Sequence, residues 1–163
     1  MKRSLRLIVL VALTLVVTLG LADVAQAANA HFVRASASGP DDNGNLIVDF
    51  KIAGLGDTVT TTVTASADAT ALYACQNNGG NFPSDPKKQE VSGPVSASDD
   101  FTSGKNGQIT DSLTLMPPPS TLDCPRGQNE VLARVSYTNV AVSEPNAGTE
   151  TIPGTFSRTF FDV

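Results

Sequence analysis

Beyond the first thirty residues, apolar and polar side chains alternate in twos. Leu46, Val48, Phe50 and Ile52 alternate with Ile47, Asp49, Lys51 and Ala53, the pattern of a strand with one face on a core. Val59, Thr61, Val63 and Ala65 repeat it among threonines, and Ala71-Leu72-Tyr73-Ala74-Cys75 is another short apolar run. Val95, Ala97 and Phe101 share one parity, as do Ile109, Leu113 and Leu115. Val131, Ala133, Val135 and Tyr137 alternate with Leu132, Arg134, Ser136 and Thr138. Phe156, Phe160 and Phe161 close the chain. The spacing nowhere favours an amphipathic helix.

Turn chemistry separates these runs. Gly39-Pro40-Asp41-Asp42-Asn43-Gly44 precedes the Leu46 strand, and Asn77-Asn78-Gly79-Gly80-Asn81 follows Cys75. Gly104-Lys105-Asn106-Gly107 sits between two strands, and Asn146-Ala147-Gly148 precedes the last. Asn-Gly steps favour the positive φ of tight hairpins. Met116-Pro117-Pro118-Pro119 has no ladder donors at its prolines and reads as an extended crossover. Seven to nine short strands without helices predict an all-β fold. The expectation is an immunoglobulin-like antiparallel β-sandwich, with a small β-barrel as the alternative. Thr70-Ala71-Leu72-Tyr73-Ala74-Cys75 imitates the end of an antibody variable domain, but no cysteine precedes Cys75 and there is no Trp.

The start of the chain sets the compartment. Lys2, Arg3 and Arg6 precede an apolar run over residues 7–21, and Ala25-Gln26-Ala27 offers the small-x-small pattern of a cleavage site. The run is too short to span a bilayer, so residues 1–27 are expected to be a cleaved signal peptide. Residues 28–163 are then a single exported domain. The leader holds three of the 11 basic residues and one of the 16 acidic ones, which takes the net charge from −5 to about −7. That balance repels phosphate backbones and anionic headgroups, so neither nucleic acid nor membrane is an expected partner after cleavage. Secretion is the expected fate, with periplasm or cell wall as the alternative. Cys75 and Cys124 both lie in the exported part, where oxidation favours one internal disulfide.

Tyr73-Ala74-Cys75-Gln76-Asn77-Asn78-Gly79-Gly80-Asn81-Phe82-Pro83 resembles a segment of small exported bacterial proteins of unknown function. Val91-Ser92-Gly93-Pro94-Val95-Ser96-Ala97-Ser98, Ser103-Gly104-Lys105-Asn106-Gly107 and Ile152-Pro153-Gly154-Thr155-Phe156-Ser157 are similar to the same group. The resemblance implies export, a β-rich fold and one disulfide. It implies no activity.

Candidates for metal chemistry are few. His31 is the single histidine. Cleavage after Ala30 would leave it N-terminal, where amine and imidazole together chelate copper, but a copper site of that kind needs a further His. Asp41-Asp42-Asn43-Gly44-Asn45 starts like a calcium loop, yet Leu46 takes the glycine position and Ile52 the place of the bidentate Glu. It reads as an acidic turn. Asp99, Asp100 and Asp111 flank the turn over residues 104–107. By parity Asp99 and Asp111 fall on the core side. Either a bulge releases them to water or they share a cation such as Ca²⁺.

Catalytic patterns do not assemble. Ser84-Asp85-Pro86-Lys87 has Ser-x-x-Lys spacing, but Pro86 opposes the helix that would bring Lys beside Ser. There is no Gly-x-Ser-x-Gly elbow. Carbohydrate stacking lacks Trp, and Tyr73 and Tyr137 lie in strand runs that face inward. The sequence therefore predicts no catalytic residues and no cofactor. It predicts a structural or interaction module meeting another protein at or outside the cell surface, through an exposed edge or the loop over residues 80–86. The alternatives are an extracellular metal-binding or hydrolytic protein built on the acidic cluster, or copper binding at His31.

Overall fold

The alternating runs become eight strands in a computed structural model, which describes residues 29–84 and 86–163. The expected leader, residues 1–27, lies outside the described residues. The strands are β1 His31–Ser38, β2 Leu46–Ala53, β3 Thr60–Asn77, β4 Lys88–Thr102, β5 Ile109–Leu115, β6 Gln128–Glu144, β7 Gly148–Ile152 and β8 Phe156–Thr159. They form two antiparallel sheets. The small sheet has the order β1-β2-β5, and the large one β4-β3-β6-β7, with β8 also on β6. The chain is an all-β sandwich. Because the sheets do not close on each other, the barrel alternative is set aside.

The core sits between the sheets, where the inward parities meet. Leu46, Val48, Phe50 and Ile52 of β2 are fully buried. Facing them, β3 turns Val63, Ala65, Ala67, Ala69 and Ala71 inward. This run of alanines leaves room for larger neighbours such as Tyr137, Val140 and Val142 of β6, so large and small side chains alternate to fill the layer. Phe101 of β4 closes one flank, its ring edge-on to Phe50 with centroids 5.3 Å apart. Each fully buried Leu, Ile, Val or Phe contributes roughly 1.5–3 kcal/mol.

The alanine run also explains a correction. The two separate apolar runs around Val63 and Leu72 belong to one 18-residue strand, β3. Ser66 and Asp68 look like a break in the sequence, but they point outward while Ala67 and Ala69 hold the inner face.

A second irregularity governs β6. Ser66 pairs with Ala141 and Asp68 with Thr138, so two residues of β6 oppose Ala67 alone. Asn139 takes φ of 52° there, a left-handed conformation that Asn tolerates better than most residues. Its Nδ2 donates to the Asp68 carboxylate at 2.8 Å. The bulge flips the parity of the strand. Tyr137 faces the core before it, and Val140, Val142 and Glu144 face the core after it.

The crossover over residues 116–127 runs from β5 to β6 and is tied to the end of the large sheet. Tyr73 Oη donates to the Pro118 carbonyl at 2.8 Å, and Lys87 Nζ to the Asp123 carbonyl at 2.6 Å. Gln89 Oε1 accepts from Ser120 Oγ and Thr121 N. Cys75 and Cys124 stand at disulfide distance at this same end, Cα atoms 5.5 Å apart.

Candidate functional site

The ladder between β3 and β4 decides what its outer face looks like. Cys75 N donates to the Lys87 carbonyl at one end, and Ser103 N to the Val59 carbonyl at the other. Both bonds fall in the same phase of the register, so odd-numbered residues make the ladder bonds. The even-numbered pairs are the non-hydrogen-bonded ones, where side chains approach most closely. From Thr60 to Thr70 on β3 and from Glu90 to Thr102 on β4 those even positions point outward, and all but Pro94 are hydroxyl-bearing or acidic.

The result is a series of side-chain bonds across the two strands. Thr60 and Thr102 hydroxyls are 2.8 Å apart, Thr64 and Ser98 2.8 Å, Thr70 and Ser92 2.9 Å. Thr62 donates to Asp100 Oδ1 at 2.6 Å. Across β6 the rows continue, with Ser143 beside Thr64 and Ser136 beside Thr70. On the far side of β6, Thr149 pairs with Ser143 and Ser157 with Ser136. Two hydroxyl rows, through Thr64 and through Thr70, therefore cross four strands of the outer face of the large sheet. Bonding between neighbours fixes the rotamers of the β3 and β4 hydroxyls, which leaves less side-chain entropy to lose when something binds.

At one end of this face lies a shallow depression of about 320 Å³ lined by Thr70, Leu72, Glu90, Arg134 and Ser136. Leu72 is its apolar floor. It pairs with Glu90 on β4 and with Arg134 on β6, so an anion and a cation stand on either side of one leucine. Both charged residues are exposed. Among the described residues the only ion pair is Arg158 with Asp42, at 2.6 Å.

The acids singled out in the sequence do not converge. Asp100 faces outward, bound by Thr62, whereas Asp99 and Asp111 keep the inward parity of β4 and β5. Asp99 Oδ1 accepts from Asp100 N, and Asp111 Oδ1 from Ser112 N. Neither ladder shifts register near them. They reach water because β4 and β5 are the edges of their sheets, and an inward charge on an edge discourages another strand from adding there. Pro94 acts in the same direction. It is an even position of β4, so its missing N–H belongs to the open edge. No group of three or more His, Cys, Asp or Glu able to hold a metal is found among the described residues.

His31 opens β1, exposed, its Nδ1 2.7 Å from the Asn29 carbonyl. Asp41 organises its own turn. Its carboxylate accepts from Asn43 N, Asn45 N and Asn45 Nδ2. The Asn45 backbone bond above all holds this carboxyl below its ordinary range. A carboxylate committed to turn amides is a poor start for a calcium loop.

Glu144 has no counterpart in the sequence reading. It is 2% exposed and accepts from Thr61 Oγ1, Asn146 N, Asn146 Nδ2 and Ala147 N. Burial pushes its carboxyl up, but the bonds from Thr61, Ala147 and Asn146 outweigh it and the net displacement is downward. It fastens the β6–β7 turn to β3. The hydroxyl rows were missed for a related reason: threonine at alternate positions is visible in one strand, but which hydroxyls meet depends on register.

Comparison with known proteins adds little. No family model and no curated protein matches this chain. Among solved structures it is similar to the solution structure of R. palustris CsgH at 14% identity and a TM-score of 0.17, covering 80% of this chain and 89% of that one. It is similar to the X-ray structure of structural genomics target SoR45 at 13% identity and a TM-score of 0.19, covering 82% and 89%. At these scores neither likeness bears on function.

Proposed function

We propose that this chain is an exported, non-catalytic interaction module that meets a protein partner through the outer face of its large sheet. The observation that carries the reading is the uncovered run of in-register hydroxyls on β3, β4 and β6, several held by bonds between neighbours. The defended edges support it. Asp99, Asp111 and Pro94 turn strand addition away from β4 and β5, an edge of each sheet. The cysteine pair at disulfide distance is compatible with life outside the cytoplasm.

The test is to place bulk and charge on the face while sparing the core. The double variant Thr64→Arg and Ser98→Arg disturbs one adjacent pair of the outer face. Thr110→Arg with Thr114→Arg makes the same change on exposed positions of β5, on the outer side of the small sheet. Binding of the labelled protein to producing cells should fall at least tenfold with the first and stay unchanged with the second. The opposite ranking would contradict the reading.

A further inference from the structure

The depression over Leu72 is more specific than the rest of the face. Three features coincide there. Its floor is apolar, its two charged walls have opposite sign, and hydroxyls of Thr70 and Ser136 line the side facing the next row. Neither Glu90 nor Arg134 forms an ion pair or a side-chain hydrogen bond with another described residue. The side chains stand on the strands flanking β3, both in register with Leu72. With neighbouring strands 4.7–4.9 Å apart, their Cα atoms are roughly 10 Å from each other.

We propose that this depression binds the zwitterion of a short peptide, laid across the strands with its carboxylate on Arg134 and its ammonium on Glu90. The inference goes beyond the reading of the outer face as a protein-binding surface, because it assigns a small peptide with both termini free to one end of that face. Length supports the match. Three extended residues span roughly 10 Å, at 3.3–3.6 Å per residue, the same scale as the separation of the two strands that carry the charges. Arg presents a planar fork to a carboxylate, and Glu accepts from an ammonium. The middle side chain would lie over Leu72. The peptide amides would meet the hydroxyls of Thr70 and Ser136, each able to donate and accept. Because the charges are exposed, each contributes modestly, and the site favours a ligand carrying both.

Trialanine is the probe, titrated into the isotope-labelled protein and followed by the amide resonances of Thr70, Leu72 and Ser136. Saturable shifts at these three are expected. Glu90→Gln and Arg134→Gln should each weaken binding at least threefold, with the rest of the spectrum unchanged. N-acetyl trialanine amide, which has lost both charges, should give no saturable shift. Absence of saturation with trialanine, or equal binding of the blocked peptide, overturns the proposal. If cell binding is lost in the Thr64→Arg, Ser98→Arg variant while trialanine does not bind, the ligand class falls and the face reading stands. If trialanine binds but cell binding ignores the face, the reverse holds.

Discussion

Tyr137 Oη donates a 2.8 Å hydrogen bond to the Gly44 carbonyl, joining the middle of β6 to the loop that connects β1 and β2. The Leu115 carbonyl lies 3.4 Å from the same oxygen. One fully buried ring thus ties the large sheet to one end of the small one, where Leu46 pairs with Leu115. Gly44 suits this place because its φ is 85° and a Cβ would overlap the Leu132 side chain. Tyr137→Phe keeps the ring and strands the Gly44 carbonyl, so it should destabilise the fold by about 1–3 kcal/mol. Urea denaturation checks this.

The same hydroxyl contributes to the alkaline limit, alongside Tyr73, whose phenol burial also pushes up. Burial first, with Tyr73 and Asp41 nearby, pushes the Tyr137 phenol well above its ordinary value of 10.0. A raised folded pKa means a contribution fully present below about pH 10 and lost as pH rises beyond it. Melting temperature should fall above pH 10 in the native protein, and fall less in Tyr137→Phe.

Glu144 governs the acid side. Its folded carboxyl titrates below the ordinary 4.5, so the unfolded chain binds more protons in that window and stability rises with pH there. The contribution is present above about pH 4.5 and lost as pH falls through the folded value. Glu144→Gln replaces an acceptor with an amide facing the donors Thr61, Asn146 and Ala147. A loss of about 1–3 kcal/mol at neutral pH is expected, together with a shallower acid limb. Some acid dependence should survive, since Asp41 is displaced in the same direction.

The bulge at Asn139 offers a backbone test. Asn139→Gly can keep the positive φ and gives up the bond to Asp68, whereas Asn139→Val must hold a β-branched residue at φ of 52°. The valine variant should be the less stable by about 1–2 kcal/mol, read as a difference in thermal unfolding.

Edge protection can be removed in the same way. Asp99→Val with Pro94→Thr makes β4 a longer apolar-faced edge with one more outward donor. Concentration-dependent light scattering should rise in this variant and not in Thr110→Arg with Thr114→Arg.

The strands and their inner faces were legible because a half-buried strand has to alternate, and Leu46 through Ile52 shows that alternation with Ile47 as its one exception. The length of β3 was not, since alanines at Ala67 and Ala69 give too little apolar contrast to bridge Ser66 and Asp68. The parity flip in β6 was hidden in one φ angle at Asn139. Asp99 and Asp111 looked misplaced because edge position belongs to the topology and not to the strand. The candidate site was the least legible part. Glu90, Leu72 and Arg134 are far apart in sequence and meet only through register. The cysteine pairing was an expectation from compartment and count, and the two residues stand at disulfide distance. Intact mass about two units below the dithiol, and a stability loss of roughly 4 kcal/mol on replacing both cysteines across a separation of 49 residues, would establish it in solution.

The measurement closest to the central claim is hydroxyl-radical footprinting of the protein free and bound to producing cells. Leu72 and Pro94 report on the outer face of the large sheet, while Met116, 69% exposed, and Val33, 53% exposed, report on other surfaces. The account predicts protection at Leu72 and Pro94 with Met116 and Val33 unchanged. Protection confined to Met116 or Val33, with Leu72 as reactive as in the free protein, would contradict it.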